Sequence, residues 1–478
     1  MTDKYSHADE FTEVRLCATP HRSFTPLAGQ SSLRQPVAPV RHVSAGLIRV
    51  NEMDGQQGQS GGNTGRTGPL KDIPMIRTRI RTGRARLHAS IILGLLIGLP
   101  VTGQAVEALP SGPVIDIRYR HENVDDAAFN KEADADTLRI RLGYRWVFAP
   151  GWQLYADGEH VEAFAGEKYN STANGKTEYP VVADPESSEV NQAFLGYADE
   201  RIDTALGRQK VNIDNQRFFG DVGWRQNEQT FDAFSFSTTT TSAGPVIRYL
   251  YLDRVLRVFG HDNPNPLLRE WSLNGNLFHL DQKLPLGQLT GYAYLVENDD
   301  IATNSTQTYG LRWTGSQAFE KVTLGWATEY AWQSDWTNNP RNVSANYWLI
   351  EPSLEVAGIR FTAGWEVLGG DGDYGFSTPY ATLHKFNGWA DKFLATPLNG
   401  LDDRYLGASG KIEKAAWAIT WHDFNADDGS ADYGSEWDAS VSYPFGKHFK
   451  GLLKYADYRA DGFSSDTRKI WASVDYRY

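Results

Sequence analysis

From about Pro113 to Tyr478 apolar and polar residues alternate along the chain. A period of two is the mark of strands whose two faces meet different surroundings. In Asp136–Phe148 one face reads Leu138, Ile140, Leu142, Tyr144, Trp146, Phe148, and the other Arg139, Arg141, Gly143, Arg145. Similar apolar faces recur as Ile115, Ile117, Tyr119; Tyr309, Leu311, Trp313; Val322, Leu324, Trp326, Tyr330; and Ile359, Phe361, Ala363, Trp365, Val367. The pattern predicts about 18 strands, near 113–122, 136–148, 151–163, 188–198, 202–210, 230–238, 246–259, 271–282, 287–296, 305–315, 319–333, 344–356, 358–367, 402–412, 415–425, 434–443, 448–460 and 467–478. Segments 188–198, 202–210 and 246–259 do not alternate cleanly, so their faces are not assigned.

A soluble sandwich would bury such faces too, and alternation alone does not exclude it. The connections separate the two. Short ones (Ala149–Pro150, Asp199–Arg201, Lys283–Leu286, Ser316–Ala318, Ala357, Glu413–Lys414, Pro444–Lys447) alternate with long ones (123–135, 164–187, 211–229, 260–270, 297–304, 334–343, 368–401, 426–433, 461–466). Short turns at one rim and long loops at the other predict an all-β fold, a transmembrane antiparallel up-and-down β-barrel with both termini at the short-turn, periplasmic rim. The last strand alternates Ile470, Ala472, Val474, Tyr476, Tyr478 and ends on an aromatic. That ending is similar to the terminal signature of outer-membrane barrels, which implies the barrel assembly machinery as a partner.

Upstream, Ala89–Val101 is an apolar run too short to span a bilayer as a helix, which needs ~20 residues. Arg77, Arg79, Arg81, Arg84 and Arg86 precede it, and Gly103 and Ala105 supply a small-residue cut site. Residues 75–105 therefore read as a secretory signal peptide starting at Met75. Residues 1–74, rich in Gly, Gln and Ser toward their end, read as a disordered or mis-called extension. This leaves 106–478 as the barrel. A mature N-terminus upstream of Met75 would overturn that division.

Composition agrees. Residues 1–105 contain 13 basic and 7 acidic residues of the chain's 47 and 59, leaving 34 and 52, about −18, for the remainder. That balance argues against nucleic acid as a partner. The single cysteine, Cys17, lies in the leader, so the exported part has no thiol chemistry. With apolar faces toward lipid, the opposite faces line a lumen. Its basic candidates are Arg118, Arg120, Arg139, Arg141, Arg145, Arg312, Arg360, Lys450, Lys454, Lys469 and Arg477. Its acidic candidates are Asp116, Glu122, Asp157, Glu159, Glu329, Glu366 and Asp475. Other acids gather in predicted loops: Asp125, Asp126, Asp134, Asp136, Asp299, Asp300, Asp371, Asp373, Asp427, Asp428 and Asp432. A basic excess in a pore attracts anions, whereas mixed charges that pair only brace the wall.

Gly207–Phe236, GRQKVNIDNQRFFGDVGWRQNEQTFDAFSF, and Thr378–Phe393, TPYATLHKFNGWADKF, resemble the alginate export family of outer-membrane porins. The resemblance covers about 114 to 478. It implies an 18-stranded barrel in the outer membrane of a Gram-negative bacterium, with a lumen narrowed by inward-folded loops and lined by arginines that pass a uronate polymer. It assigns pore-lining roles to Arg208, Arg217 and Arg225, and constriction roles to Asn212, Asp214, Asn215, Trp224 and Asn227. The expected function is a channel for anionic polysaccharide or oligosaccharide, with uptake of small acidic solutes or oligouronates as the alternative. The departure from the family is the acidic mouth, which would repel a polyuronate unless divalent cations screen it. Read physically, Asn, Asp, Gln and Arg at the density of the first motif cannot form a hydrophobic core but can form a hydrogen-bonded network.

No enzymatic motif stands out. Gly370, Gly372 and Gly375 match GxGxxG without a following helix. HExxH and GxSxG are absent. No cofactor is expected beyond Asp371 and Asp373 as loop carboxylates for Ca²⁺, without full EF-hand spacing.

Overall fold

A computed structural model describes residues 110–478 apart from 240, 242 and 243. The proposed leader, signal peptide and start at Met75 lie outside the described residues. Eighteen strands run in order: β1 Gly112–Asp126, β2 Ala133–Ala149, β3 Trp152–Lys168, β4 Ser187–Ala198, β5 Ile202–Gln209, β6 Thr230–Thr239, β7 Val246–Leu256, β8 Glu270–Leu284, β9 Gly287–Asn298, β10 Thr306–Ala318, β11 Val322–Asp335, β12 Ser344–Val356, β13 Ile359–Leu368, β14 Leu401–Ile412, β15 Ala415–Asn425, β16 Asp432–Phe445, β17 Phe449–Ala460 and β18 Thr467–Arg477. Each pairs antiparallel with its sequence neighbours, as in Asp116↔Arg141 of β1 and β2. β1 also pairs with β18, from Asp116↔Arg477 to Asp126↔Thr467. Closure leaves no free edge, so every ladder group is satisfied without water.

The alternation now has its cause. Leu142, Trp146, Leu406 and Leu453 are each more than half exposed, at 57%, 55%, 58% and 58%. Their neighbours Arg139, Arg141, Asp403 and Lys454 are buried. Apolar outside and charged inside is stable only where hydrocarbon surrounds the barrel. Rings form a belt at the short-turn rim: Trp146 and Phe148 lie 5.5 Å apart, Phe148 and Trp152 6.4 Å, and Trp152 and Tyr197 5.0 Å. Their amphipathic rings suit the headgroup level.

Three strands that resisted assignment carry irregularities or double-sided apolar faces. The β3–β4 ladder shifts register between Asp157 and Gly158, and the β6–β7 and β7–β8 ladders shift near Leu252. A bulge reverses the sense of alternation. In β7, Leu250 and Leu252 face inward and are buried, while Ile247 is exposed on the outside. The inner wall there is apolar because protein fills the lumen against it.

That filling comes from two long loops, 210–229 and 369–400. Val211, Ile213, Phe218 and Phe219 of the first join Tyr374, Phe376, Tyr380 and Phe393 of the second in a core inside the barrel. Phe218 packs against Tyr292, Tyr294 and Tyr347 at 5.3, 5.7 and 5.7 Å. Phe219 stacks on Tyr380 at 5.5 Å. The first loop therefore contributes to a hydrophobic core after all. The four apolar residues it buries there are few in sequence, but barrel-wall aromatics complete the cluster. The expected 123–135 loop also shrinks to 127–132, so Asp125, Asp126 and Asp134 are strand residues rather than loop residues, and Asp136 lies within β2 rather than at its start.

Candidate functional site

The two loops lock together across the lumen. Gly220 and Thr382 donate their amides to Tyr380 O and Gln216 O at 3.0 and 3.1 Å. Gln229 donates from Nε2 to Tyr380 O at 2.8 Å. Lys385 donates from Nζ to Asn215 O at 3.0 Å. Asn212 Oδ1 accepts the Asp221 amide, and Asn215 Oδ1 the Arg217 amide, at 2.8 and 3.2 Å. Asn227 is buried and donates to Pro185 O at 3.3 Å. Asp214 accepts from buried His279 of β8 at 2.9 Å. The polar motif residues thus hold the loop's shape and its seat.

The lumen arginines differ in what engages them. Arg118 and Arg120 of β1 hold the loop: Arg118 donates to Gly223 O at 2.9 Å, and Arg120 donates to Trp224 O. Arg118 also pairs with Asp475 at 2.7 Å, and Arg120 with Asp184 at 3.3 Å. Arg139 and Arg141 of β2 are buried in ion pairs with Asp116 and Glu159. Arg141 also reaches Glu228 at 3.0 Å. These two brace the wall under the loop rather than facing open space. Arg145 lies 5.5 Å over the Tyr155 ring. Arg312 pairs with Glu329, and Arg217 with Glu366 at 3.0 Å. Arg360 is exposed on the lumen face near the short-turn rim and pairs with Glu355 at 3.0 Å.

One assignment is corrected. Arg208 does not line the pore. It lies on β5 opposite Asp232 of β6, on the outward face shared with Leu206 and Phe234, and pairs with Asp232 at 2.8 Å. The sequence left β5 unoriented, and only its register with β6 decides the side.

Lumen acids that were missed include Asp281, Glu351, Glu355, Asp403, Glu436 and Asp438. With them the basic excess over acids disappears. The outward run Trp437, Ala439, Val441 already implied that Glu436 and Asp438 point inward. Charge is instead segregated around the wall, basic on β17, β18, β1 and β2 and acidic on β12–β16.

Between the loops sits a compact barrier. Trp224 stacks on His384 at 4.4 Å and meets Trp471 edge-on at 5.7 Å. Arg120 and Lys454 each lie 4.2 Å from the Trp224 ring. Arg225 binds Glu122 at 3.0 Å and Asp391 at 3.1 Å. Lys469 also binds Asp391, at 2.8 Å. Burial drives the His384 imidazole well below its usual range, and the Lys454 and Arg225 charges act with burial against Asp391. His384 is therefore neutral, which fixes its hydrogens. Nδ1–H donates to Asp391 Oδ1 at 2.6 Å, and Nε2 accepts from Lys454 at 2.6 Å. Asp391 would rise on burial, but the His384 hydrogen bond and the Lys469 and Arg225 charges hold it well below the carboxylate range.

Chambers lie on both sides of this barrier. On the long-loop side, a cavity of about 310 Å³ is lined by Arg225, Arg257, Lys392 and Lys469 with Asp126 and Asp391. It shares Arg257, Pro379, Leu383 and Leu394 with a second, of about 300 Å³, whose charged residues are Arg217, Arg257 and Arg341. On the short-turn side, a cavity of about 330 Å³ is lined by Trp224, Arg118, Arg120, Lys447, Lys450 and Arg477, with Asp475 as its one carboxylate. Trp224 and Arg225 are chain neighbours, so the partition there is one residue thick. Another cavity, of about 380 Å³, lies against β10 and β12–β16 with acidic lining.

Asp371, considered above for Ca²⁺, caps its own turn through Oδ1, accepting the amides of Asp373 and Tyr374 at 2.9 and 2.8 Å. Those two hydrogen bonds lower its carboxyl.

No protein-family model matches the chain, and no curated protein matches it in sequence. Solved structures do match in shape. OccK1 (OpdK) of Pseudomonas aeruginosa superposes with a TM-score of 0.61 at 13% identity, over 78% of this chain and 100% of that one. OccAB4 of Acinetobacter baumannii gives 0.62 at 13%, over 78% and 99%. OpdK solved with vanillate gives 0.61 at 13%, over 78% and 100%. Identities this low carry the fold and nothing finer. With its lipid-facing apolar surface, this chain has the eighteen-stranded barrel fold of outer-membrane porins.

Proposed function

We propose that this protein is a passive outer-membrane channel for small anionic solutes, acidic saccharides among them, taken up toward the periplasm. The observation that carries this reading is the order of the chambers. A basic vestibule faces the long-loop rim, a thin aromatic partition follows, and a basic chamber opens on the short-turn side. Cations lining successive chambers lower the barrier for an anion. Exposed Lys450 keeps its charge free for a passing solute, and Arg477, exposed although it pairs with Asp116 at 3.3 Å, lines the same chamber, whereas Arg139 and Arg141 are buried in the wall. Chambers of a few hundred Å³ suit single small molecules. The OpdK structure holding vanillate, an aromatic carboxylate, supports the same solute class.

Export of an alginate-like uronate polymer is the second reading. One observation favours it: both stretches resembling the alginate export family make up most of the two loops that narrow the lumen. It requires those loops to swing aside, against the core and ion pairs that bind them.

Reversal potentials in planar bilayers under a KCl gradient test the first reading. Chloride over potassium is expected, with selectivity lost or inverted in Lys450→Glu combined with Arg477→Glu. Cation selectivity in the unaltered protein would refute it. In a deletion strain, lost growth on oligouronate supports uptake, and lost polymer secretion supports export.

A further inference from the structure

The lipid-facing side of β12 changes character partway up. From the short-turn end its outward positions read Leu354, Pro352, Ile350 and Trp348, and then Asn346 and Ser344. An apolar band ~25 Å tall takes ~10 residues of a tilted strand. Counted from Val356, hydrocarbon therefore gives way to headgroups near Asn346. Outward rings on neighbouring strands mark the same level. Tyr309 stacks on Trp332 at 6.2 Å, and Trp348 meets Trp365 edge-on at 4.3 Å. Such rings belong at the membrane–water boundary.

At this level the outer wall carries a recess of about 310 Å³. Tyr330, Ser344, Asn346 and Trp348 line it from the strands, and Asp427 lines it from a long loop. Tyr330 and Trp348 are cross-strand partners, so their rings stand side by side on the outward face. Hydrogen bonds fix the recess. Gly369 donates its amide to Asn346 O at 2.8 Å, and Gly370 donates to Asp427 Oδ2 at 3.3 Å. A Cβ at Gly369 would press on Asn346 O, so the loop crosses here as bare backbone. Asn346 Oδ1 accepts the Tyr330 hydroxyl at 2.7 Å, which leaves the Nδ2 amide as a donor. Ser344 Oγ accepts the Trp332 indole N–H at 3.4 Å and keeps its own hydrogen to donate.

Polar groups on a face that meets lipid call for a partner that is polar and lies in the membrane. Charge narrows the choice. Beside the recess Arg404 is bound to Asp402 at 2.8 Å, and Asp427 adds a further negative charge. The sector has no positive excess, so phosphate is not the group it selects. A sugar ring matches both halves of the lining, with C–H faces for the aromatic rings and hydroxyls for the polar groups.

We propose that this recess docks the sugar headgroup of an outer-leaflet glycolipid, a pyranose lying against Tyr330 and Trp348 with its hydroxyls on Asn346, Ser344 and Asp427. The acyl chains then run down the apolar outward positions Ile350, Leu354 and Phe361, so the recess continues the surface that already meets lipid. The inference rests on the barrel standing in the outer membrane and not on which solute it passes.

The test uses the full-length protein in detergent, with bound lipid read by native mass spectrometry. The probes are lipid A, whose headgroup is a glucosamine disaccharide, lipid A stripped of its phosphates, phosphatidylethanolamine, and the disaccharide without acyl chains. Both forms of lipid A should bind saturably and at least roughly tenfold more tightly than phosphatidylethanolamine. Asn346→Leu combined with Ser344→Val should weaken both about tenfold, through the loss of two hydrogen bonds. Trp348→Leu, which stays apolar but loses the ring, should weaken them about fivefold. Trp437→Leu, an outward substitution on β16, should bind like the unaltered protein. Should one recess variant not assemble, the other carries the comparison. Equal affinity for phosphatidylethanolamine, binding that disappears with the phosphates, or unchanged affinity in the recess variants overturns the sugar site. Free disaccharide binding as tightly as the lipid would overturn the glycolipid as its occupant.

Discussion

Trp224→Ala is the sharpest test of the partition. The indole stands between the basic chambers of about 310 and 330 Å³. Its removal deletes the stack on His384, the edge contact with Trp471, and two cation contacts at 4.2 Å. Cation–π contacts contribute ~0.5–2 kcal/mol each, and aromatic pairs ~0.5–1.5 kcal/mol each beyond burial. Truncating a fully buried Trp costs ~3–5 kcal/mol. Trp224 is only half-buried, so a local loss of about 2–4 kcal/mol is expected. The loop keeps its seat through Arg225 on Glu122 and Asp391 and through the Gln226 amide on Asp184 at 2.8 Å. The barrel keeps its closed ladder. The ring should therefore vanish without loss of fold, joining the chambers. Single-channel conductance should rise at least roughly twofold, because a constriction dominates the resistance of a pore. Trp224→Phe, which keeps a smaller stack, should fall between. Heat-modifiable migration on gels confirms that each variant is assembled. A folded Trp224→Ala channel conducting like the unaltered protein would refute the claim that this ring is the barrier.

Three further outcomes follow from the same loops. Burial would raise the Glu228 carboxyl, but Arg141 and Lys210 hold it down to about 2, against 4.5 when unfolded. It should thus contribute about 3 kcal/mol to seating the loop above pH 4.5, lost as pH falls toward 2. Pepsin cleavage within 210–229 should increase across that window, and in Glu228→Gln the loop should already be loose at pH 4.5; equal cleavage in both proteins would count against the ion pairs as the anchor. Gly388 has φ +81°, and an added Cβ would press on the Glu436 carboxylate. Gly388→Ala should loosen the 387–391 segment by ~1–3 kcal/mol and raise channel noise, seen as added open-state flicker. Arg208→Ala should leave conductance and selectivity unchanged, since that side chain faces outward; a change in selectivity would return it to the lumen.

How much was legible depended on how local the determinant was. All eighteen strands could be read because each alternates, or nearly so, within its own dozen residues. The boundaries missed most at the long-loop ends of β3 and β1, and around the turn between β1 and β2 Asp125, Asp126, Asp134 and Asp136 looked like loop composition. At the rim those carboxylates find partners: Asp126 takes Lys392 at 2.9 Å, and Asp136 accepts from the Tyr119 hydroxyl at 2.6 Å. The motif loops could be marked as special, but not what they do. Phe218 and Phe219 are two rings in a polar stretch, and their partners Tyr292, Tyr347 and Tyr380 lie roughly 70 to 160 residues away.

By itself the sequence determined the barrel, the side of each cleanly alternating strand that meets lipid, and the rim that carries the long loops. Those properties follow from one repeat distance along an extended chain and from the solvent on either side of it. The tertiary structure alone decided which arginines are free and which are spent on carboxylates. It also decided that Arg208 lies outside, and that basic and acidic residues occupy separate, adjoining arcs of the wall. Those depend on register between strands and on loops folding back into the lumen, where residues far apart in the chain meet and settle each other's charge.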